Sequence, residues 1–189
     1  MRPAAPDVKF TYEDVMNLPD DGQRHELIDG EHYVTPSPSI KHQAVSGNLM
    51  TELRMSLKQH PRGLVFAAPL DVVFSDAAIV EPDLLYVSQE RCSILAGEHV
   101  RGVPDLVVEI LSPRTRKIDE VTKRKLYERV GVLEYWVVDP ELETIKIYRR
   151  VGDAFVRAAE LSVEQADALT TPLLPELSIP LADVFAFPL

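Results

Sequence analysis

The chain has 189 residues, 46% of them hydrophobic and 26% charged, with a net charge of −10. That supplies the core of one ordinary domain, and no apolar run approaches the roughly 20 residues that a bilayer requires. An acidic chain is a poor general binder of duplex nucleic acid, because non-specific affinity comes from Lys and Arg on phosphate. The single cysteine, Cys92, excludes an internal disulfide and a cysteine zinc site, and no hydrophobic signal core occupies residues 1–7. A cytoplasmic setting and no membrane partner are the expectation.

Residues 1–9 read as a flexible tail ahead of a single domain over residues 10–189. Thr11 caps a short helix over Tyr12 to Leu18, ended by Pro19, and Asp20-Asp21-Gly22 is a turn. His25 to Val34 reads as a hairpin, since Asp29-Gly30 is a strong two-residue turn signal. After Pro36-Ser37-Pro38, Ser39 caps a helix to about His60. In it Val45, Leu49, Leu53 and Leu57 recur every four residues as a buried stripe.

Beyond Pro61 the pattern changes to strands: Gly63 to Ala67, Leu70 to Phe74, and Val80 to Val87 interrupted at Pro82. Gln89 to Ala96 reads as a short helix. Asp105 to Leu111 is the most apolar strand and the expected centre of the sheet. A basic helix from about Lys117 to Val130, closed by Gly131, leads to the strand Glu134 to Asp139. The unit 105–139 is expected to be a right-handed parallel crossover. Thr144 to Arg150 and Ala154 to Leu161 read as edge strands, and the tail with Pro172, Pro175, Pro180 and Pro188 as a surface wrap with one short helix near Leu181. The expected fold class is α/β of the mixed α+β kind, one mixed β-sheet flanked by helices.

Glu109 stands inside the apolar strand, where a carboxylate is costly unless a cation, a metal or a proton compensates it. Asp105 shares its face but lies about 13 Å away along a strand, too far to ligate the same ion. The partner must come from another strand, and Asp83, after Pro82 and before Leu84-Leu85-Tyr86-Val87, is the best placed. Simple turn capping is the other reading of Asp83. On the basic helix, at about 100° per residue, Lys123 falls among Leu126, Tyr127 and Val130 with Asp119 beside it. Lys117, Arg124 and Glu128 fall on the opposite side. Lys123 therefore either forms an internal pair with Asp119 or reaches the strand that carries Glu109. An Asp, a Glu and a Lys converging at strand ends suit phosphodiester hydrolysis. The carboxylates Asp83 and Glu109 hold a hard divalent ion, Mg²⁺ or Mn²⁺, and the ammonium orients water or steadies charge on the transition state.

Several blocks resemble a known family. Pro82-Asp83, Glu109-Ile110-Leu111-Ser112-Pro113, Asp119 with Lys123 and Tyr127, and Gly131 through Pro140 with its Glu134-Tyr135-Trp136 core are similar to the Uma2 family of the PD-(D/E)XK nuclease superfamily. The hairpin Glu26 to Glu31 and His42 fit as well, and the likeness covers roughly residues 10 to 187. The resemblance implies a restriction-endonuclease-like core with Asp83 and Glu109 as the superfamily acids. The superfamily lysine, two residues after the glutamate, falls at Leu111, and Lys123 matches the family's later lysine position. Glu26 and His42 are then auxiliary, as an acid and a phosphate contact; a hairpin salt bridge and a helix-surface histidine are their plainer readings. DNA is the implied partner. A homodimer is implied too, since two strands need two cuts; Tyr135, Trp136, Phe185 and Phe187 would line its interface or fill the core.

Two functions compete at this point: a metal-dependent endonuclease acting on DNA, and a catalytically inactive nuclease fold that binds nucleic acid or protein. Leu111 and the −10 charge lean to the second. A hydrolase built on Ser112 or Cys92, or a histidine zinc site, has no supporting motif.

Overall fold

Pro82 divides the molecule. In the computed structural model, which describes residues 9–19 and 21–187, the strand expected over Val80 to Val87 with an interruption at Pro82 is two strands in two different sheets. Proline cannot donate to a ladder, and Glu81-Pro82-Asp83 carries the chain from one sheet to the other. The expected tail, Lys9 apart, lies outside the described residues, as do Asp20 and Pro188.

The elements otherwise follow their local signals. A capping box between Thr11 and Asp14 starts α1, Tyr12–Met16. β1, Arg24–Ile28, and β2, Glu31–Thr35, form the hairpin, with Asp29 and Gly30 at φ 56° and 76° in its turn. Ser39 caps α2, Ile40–Gln59, whose buried stripe is His42, Val45, Leu49 and Leu53. β3, Gly63–Ala67, β4, Val72–Ser75, β5, Ala78–Val80, and β6, Leu84–Ser88, follow. A 3₁₀ turn over Gln89–Ile94 precedes the short β7, Leu95–Ala96, and β8, His99–Arg101. β9 is Leu106–Ile110. The basic helix is a π-helical turn, Ile118–Lys123, continuing into α3, Arg124–Val130, and closed by Gly131 at φ 98°. β10, Glu134–Asp139, β11, Thr144–Val151, and β12, Ala154–Ser162, complete the main sheet.

Two mixed six-stranded sheets result where one was expected. The central one runs β12-β11-β10-β9-β6-β3, with β9 and β10 parallel as anticipated and the other pairs antiparallel. The second runs β2-β1-β5-β4-β8-β7. Hydrophobic alternation reveals that these short strands bury one face; it does not reveal which neighbour they pair with.

Alternation along β9 assigns the two faces of the central sheet. Leu106, Val108 and Ile110 join the core beneath α2, while Val107 joins the core shared with α3 and the second sheet. Glu109, in the same phase as Val107, therefore faces the space between sheets and helix. Tyr135 and Trp136 are fully buried, one in each core, and Phe185 is buried, so these three fill cores rather than an interface; Phe187 is exposed.

The C-terminal tail corrects its expectation. It is not a surface wrap but a hairpin, β13, Ala168–Thr171, and β14, Leu174–Pro180, followed by α4, Leu181–Val184. Leu169, Leu174, Leu177, Ile179, Leu181 and Val184 all enter the core beneath α2. Its prolines are compatible with this because a two-stranded hairpin has free edges where a missing N–H costs nothing. Leu181 is 0% exposed. Leu181→Ala is expected to cost about 2–5 kcal/mol, as a buried truncation does, measured by urea unfolding; a loss within about 0.5 kcal/mol would return the tail to the surface.

Candidate active site

The site begins at the strand junction. β6 and β9 are antiparallel with Leu84 opposite Val108. Continuing that register by one residue sets Asp83 opposite Glu109. Asp83 Oδ2 accepts the Ile110 amide at 2.8 Å, and its Oδ1 accepts from Arg24 at 3.0 Å and lies 3.2 Å from His42 Nε2. Glu109 Oε1 accepts the Tyr127 hydroxyl at 2.6 Å and the Lys123 ammonium at 3.0 Å.

Lys123 is the hub. Its Nζ lies 2.7 Å from Glu26, 3.0 Å from Glu109 and 3.7 Å from Asp119, and all four side chains are buried. Both readings of Lys123 therefore hold at once: it pairs with Asp119 and it reaches Glu109. The π-helical turn carries both residues inward, and the Tyr135 hydroxyl anchors that turn by donating to the Asp119 carbonyl at 3.0 Å. Glu26 comes from the second sheet. Its other contacts are the Glu81 amide at 2.9 Å and the Thr35 hydroxyl at 3.3 Å.

Together these groups line a cleft of about 360 Å³ between the hairpin β1–β2, the start of α2 and the π-helical turn. All five residues singled out from the sequence (Asp83, Glu109, Lys123, Glu26 and His42) line it. His42 is not on the helix surface, since its position on the buried stripe of α2 turns it inward, and Glu26 is buried rather than part of an exposed hairpin pair. Asp105 is absent from the cleft and plays a structural part: it accepts the Ser88 amide at 2.7 Å and pairs with Arg91. Leu111 is buried in the apolar core. Ser112 caps the turn before the π helix with Thr115, and Cys92 is exposed.

Two participants were given no task by the sequence reading. Arg24 lies two residues before Glu26 on one strand, so period-two alternation alone places both on one face. Tyr127 follows Lys123 by four residues on the inner helix stripe; its ring reads as core, and only the structure shows the hydroxyl aimed at Glu109.

The environment drives the two facing acids apart. Burial raises the Glu109 pKa well above the ordinary glutamate range; Lys123 opposes the rise, and neighbouring carboxylates add to it. Burial also acts on Asp83, but the His42 hydrogen bond and charge, Arg24 and the Ile110 amide outweigh it and hold that pKa low. Lys123 loses by burial and gains more from its three acids, so it stays protonated. Tyr127 is raised too, first by burial, and remains a neutral donor.

Asp119 is raised from 3.8 to about 6, chiefly by burial. A carboxylate whose folded pKa exceeds its unfolded value stabilises the fold below the unfolded value and loses that contribution as pH rises through the folded one. Wild type is therefore expected to lose about 3 kcal/mol relative to Asp119→Asn between pH 3.5 and pH 7, at about 1.36 kcal/mol per unit. Urea unfolding across that range is the measurement, and parallel profiles for the two proteins would refute it.

Comparison with known proteins agrees with this architecture. The family model Uma2, described as "Putative restriction endonuclease", matches residues 12–182. The crystal structure of a "putative nuclease" from Anabaena variabilis superposes with a TM-score of 0.75 at 21% identity, covering 93% of this chain and 97% of that one. At that identity the likeness shows the fold. The type IIG restriction endonuclease BpuSI aligns with a TM-score of 0.41 at 16% identity, covering 68% of this chain and 15% of that one. No curated protein matches. The chain belongs to the Uma2 family of restriction-endonuclease-like proteins.

Proposed function

We propose that the chain is a metal-dependent endonuclease that hydrolyses DNA phosphodiester bonds. In this reading Asp83 and Glu109 hold Mg²⁺ or Mn²⁺, and Lys123 is the charge-stabilising catalytic group. The observation that carries it is a charge imbalance. Four buried carboxylates, Glu26, Asp83, Glu109 and Asp119, line one cleft with two cations engaged by them, Lys123 and Arg24. With all four acids ionised, His42 neutral and the exposed Arg114 left aside, the deficit equals the charge of one divalent ion.

The donor chemistry fits such an ion. Asp83 and Glu109 offer hard oxygens from paired strands, and Mg²⁺ takes one or two carboxylates and completes its octahedron with water and substrate phosphate. No group of three ligand side chains is preassembled among the described residues, which suits an ion that keeps much of its water. When bound, the ion supplies charge neutralisation at the phosphoryl oxygen and a lowered pKa for a coordinated water.

The protein groups then have separate tasks. Lys123, held protonated, is a fixed positive charge beside the phosphate and not a proton acceptor. Glu26 and Tyr127 position it and Glu109. Arg24 and His42 keep Asp83 ionised, and His42 is also the phosphate contact. On duplex DNA two copies of the chain, one per strand, form the working unit.

A specific observation favours the alternative of an inactive binding module: the superfamily lysine position is Leu111, packed in the core. Lys123 answers it by bringing an ammonium to Glu109 from the helix instead.

Supercoiled plasmid with Mg²⁺ or Mn²⁺ is expected to be nicked by wild type and at least 100-fold more slowly by Asp83→Asn, Glu109→Gln and Lys123→Met. Mn²⁺ at about 100 times its Kd should add about 2.7 kcal/mol of stability. The resulting rise in Tm should be absent in Asp83→Asn and Glu109→Gln. Wild type that shifts DNA on a gel and never nicks it would establish the binding module.

A further inference from the structure

Beyond His42 and Asp83 the cleft opens into a second lobe of about 400 Å³, well within the size of small-molecule sites. The lobes share Arg24, His42, Asp83 and the loop 35–38. Their chemistry differs. The first lobe holds four carboxylates and the lysine. The second has Asp83 as its one acid; Met50, Ala67 and Pro69 give it apolar walls, and Gln43 and Ser46 a polar side.

Two further observations set this lobe apart from ordinary surface relief. Gly47, in the middle of α2, lines it. A Cβ there would meet nothing within 4 Å, and the backbone is not in the left-handed region. Neither packing nor φ calls for glycine, which destabilises a helix interior relative to alanine; its effect here is to keep the lobe open. The second observation is His42, 6% exposed and lining both lobes. Its Nε2 engages Asp83 at 3.2 Å. Its Nδ1 is the one buried side-chain nitrogen or oxygen among the described residues without a hydrogen-bond partner. The nitrogen is enclosed, so its missing partner is a cost the site carries beside the junction of the two lobes.

We infer that the second lobe is a nucleoside subsite, taking the base and sugar next to the phosphodiester that lies against the acids. The inference rests on reading the acid lobe as a phosphodiester site. A base seated there is out of its stack, so the substrate is single-stranded or locally unpaired nucleic acid. A net −10 gives little general attraction for a phosphate backbone, single or double. Of the cleft's cations, Arg24 is committed to Asp83 and Lys123 to its three acids, which leaves the exposed Arg114 of the acid lobe to meet a phosphate. In the second lobe affinity comes from apolar contact with one base and hydrogen bonds to its edge from Gln43 and Ser46.

The test combines nucleotide binding with cleavage, on the full chain in Mn²⁺. By calorimetry, a deoxynucleoside 5′-monophosphate should bind at least ten-fold more tightly than deoxyribose 5-phosphate, which lacks the base. Gly47→Phe and Gln43→Trp each fill the lobe and should abolish that preference while binding Mn²⁺ as wild type does, which shows a folded acid lobe. Met55→Phe, at an exposed position of the same helix outside the cleft, should keep the preference. Equal affinity for nucleotide and sugar phosphate overturns the subsite, as does an unchanged preference in both filled variants. Cleavage is scored separately on single-stranded circles. Wild type that cuts, with filled variants cutting equally fast, overturns the subsite and leaves the nuclease standing. Wild type that never cuts but keeps a base preference dependent on Gly47 overturns the nuclease and upholds the subsite.

Discussion

One buried ammonium ties the cleft together. Lys123 leaves a helix and meets Glu26 from the second sheet, Glu109 from the central sheet and Asp119 from its own turn. Two sheets and a helix converge on a single nitrogen. Without that cation, three carboxylates would be buried with no counter-charge, at a cost of several kcal/mol. Stability alone does not account for the arrangement, because apolar side chains of similar volume often do as well as a buried ion cluster. Three acids on one lysine make sense as a place kept short of positive charge.

The same economy of charge separates the two facing acids. Asp83 and Glu109 sit opposite one another across a strand pair, yet their surroundings push them in opposite directions. Asp83 has a guanidinium, an imidazole and a backbone amide at its oxygens. Glu109 has two donors on one oxygen and like charges nearby. One is a ready anion; burial and acidic neighbours make the other harder to ionise. Pairs of titratable groups divided in this way mark sites of proton or metal chemistry more often than sites of plain structure.

Much of this was legible in the chain, and the failures have definite physical causes. Period two set the phase of Glu109 against Leu106, Val108 and Ile110, and the helix period turned Lys123 inward. Those are local rules, and they held even though part of the helix is π-helical rather than α. Pairing between strands distant in the chain obeys no local rule, so the division into two sheets at Pro82 was invisible. The tail misled for a related reason: its prolines signal irregular chain, but the leucines between them carry the packing. Arg24 was overlooked because a charged residue at a strand start looks solvated until its partner is known. Tyr127 was named with the family block but given no task, because an aromatic on an apolar stripe is fully explained by burial.

Leu111 is the instructive departure. A strand position two residues after Glu109 is the superfamily's place for lysine, and here it packs among apolar side chains. What the proposed chemistry would need is a nitrogen near Glu109, not a particular Cα, and a lysine stem is long and flexible enough to arrive from elsewhere. Moving the lysine to the helix has a consequence. A strand lysine is as rigid as its sheet; Lys123 is positioned by a π-helical turn whose hold on the central sheet includes the Tyr135 hydroxyl at the Asp119 carbonyl and the Tyr127 hydroxyl at Glu109. Both tyrosines are fully buried and touch one another at a centroid distance of 5.0 Å. The position of the ammonium thus depends on the packing of two rings, which explains why the Glu134-Tyr135-Trp136 block, remote from the acids in sequence, belongs with the same site.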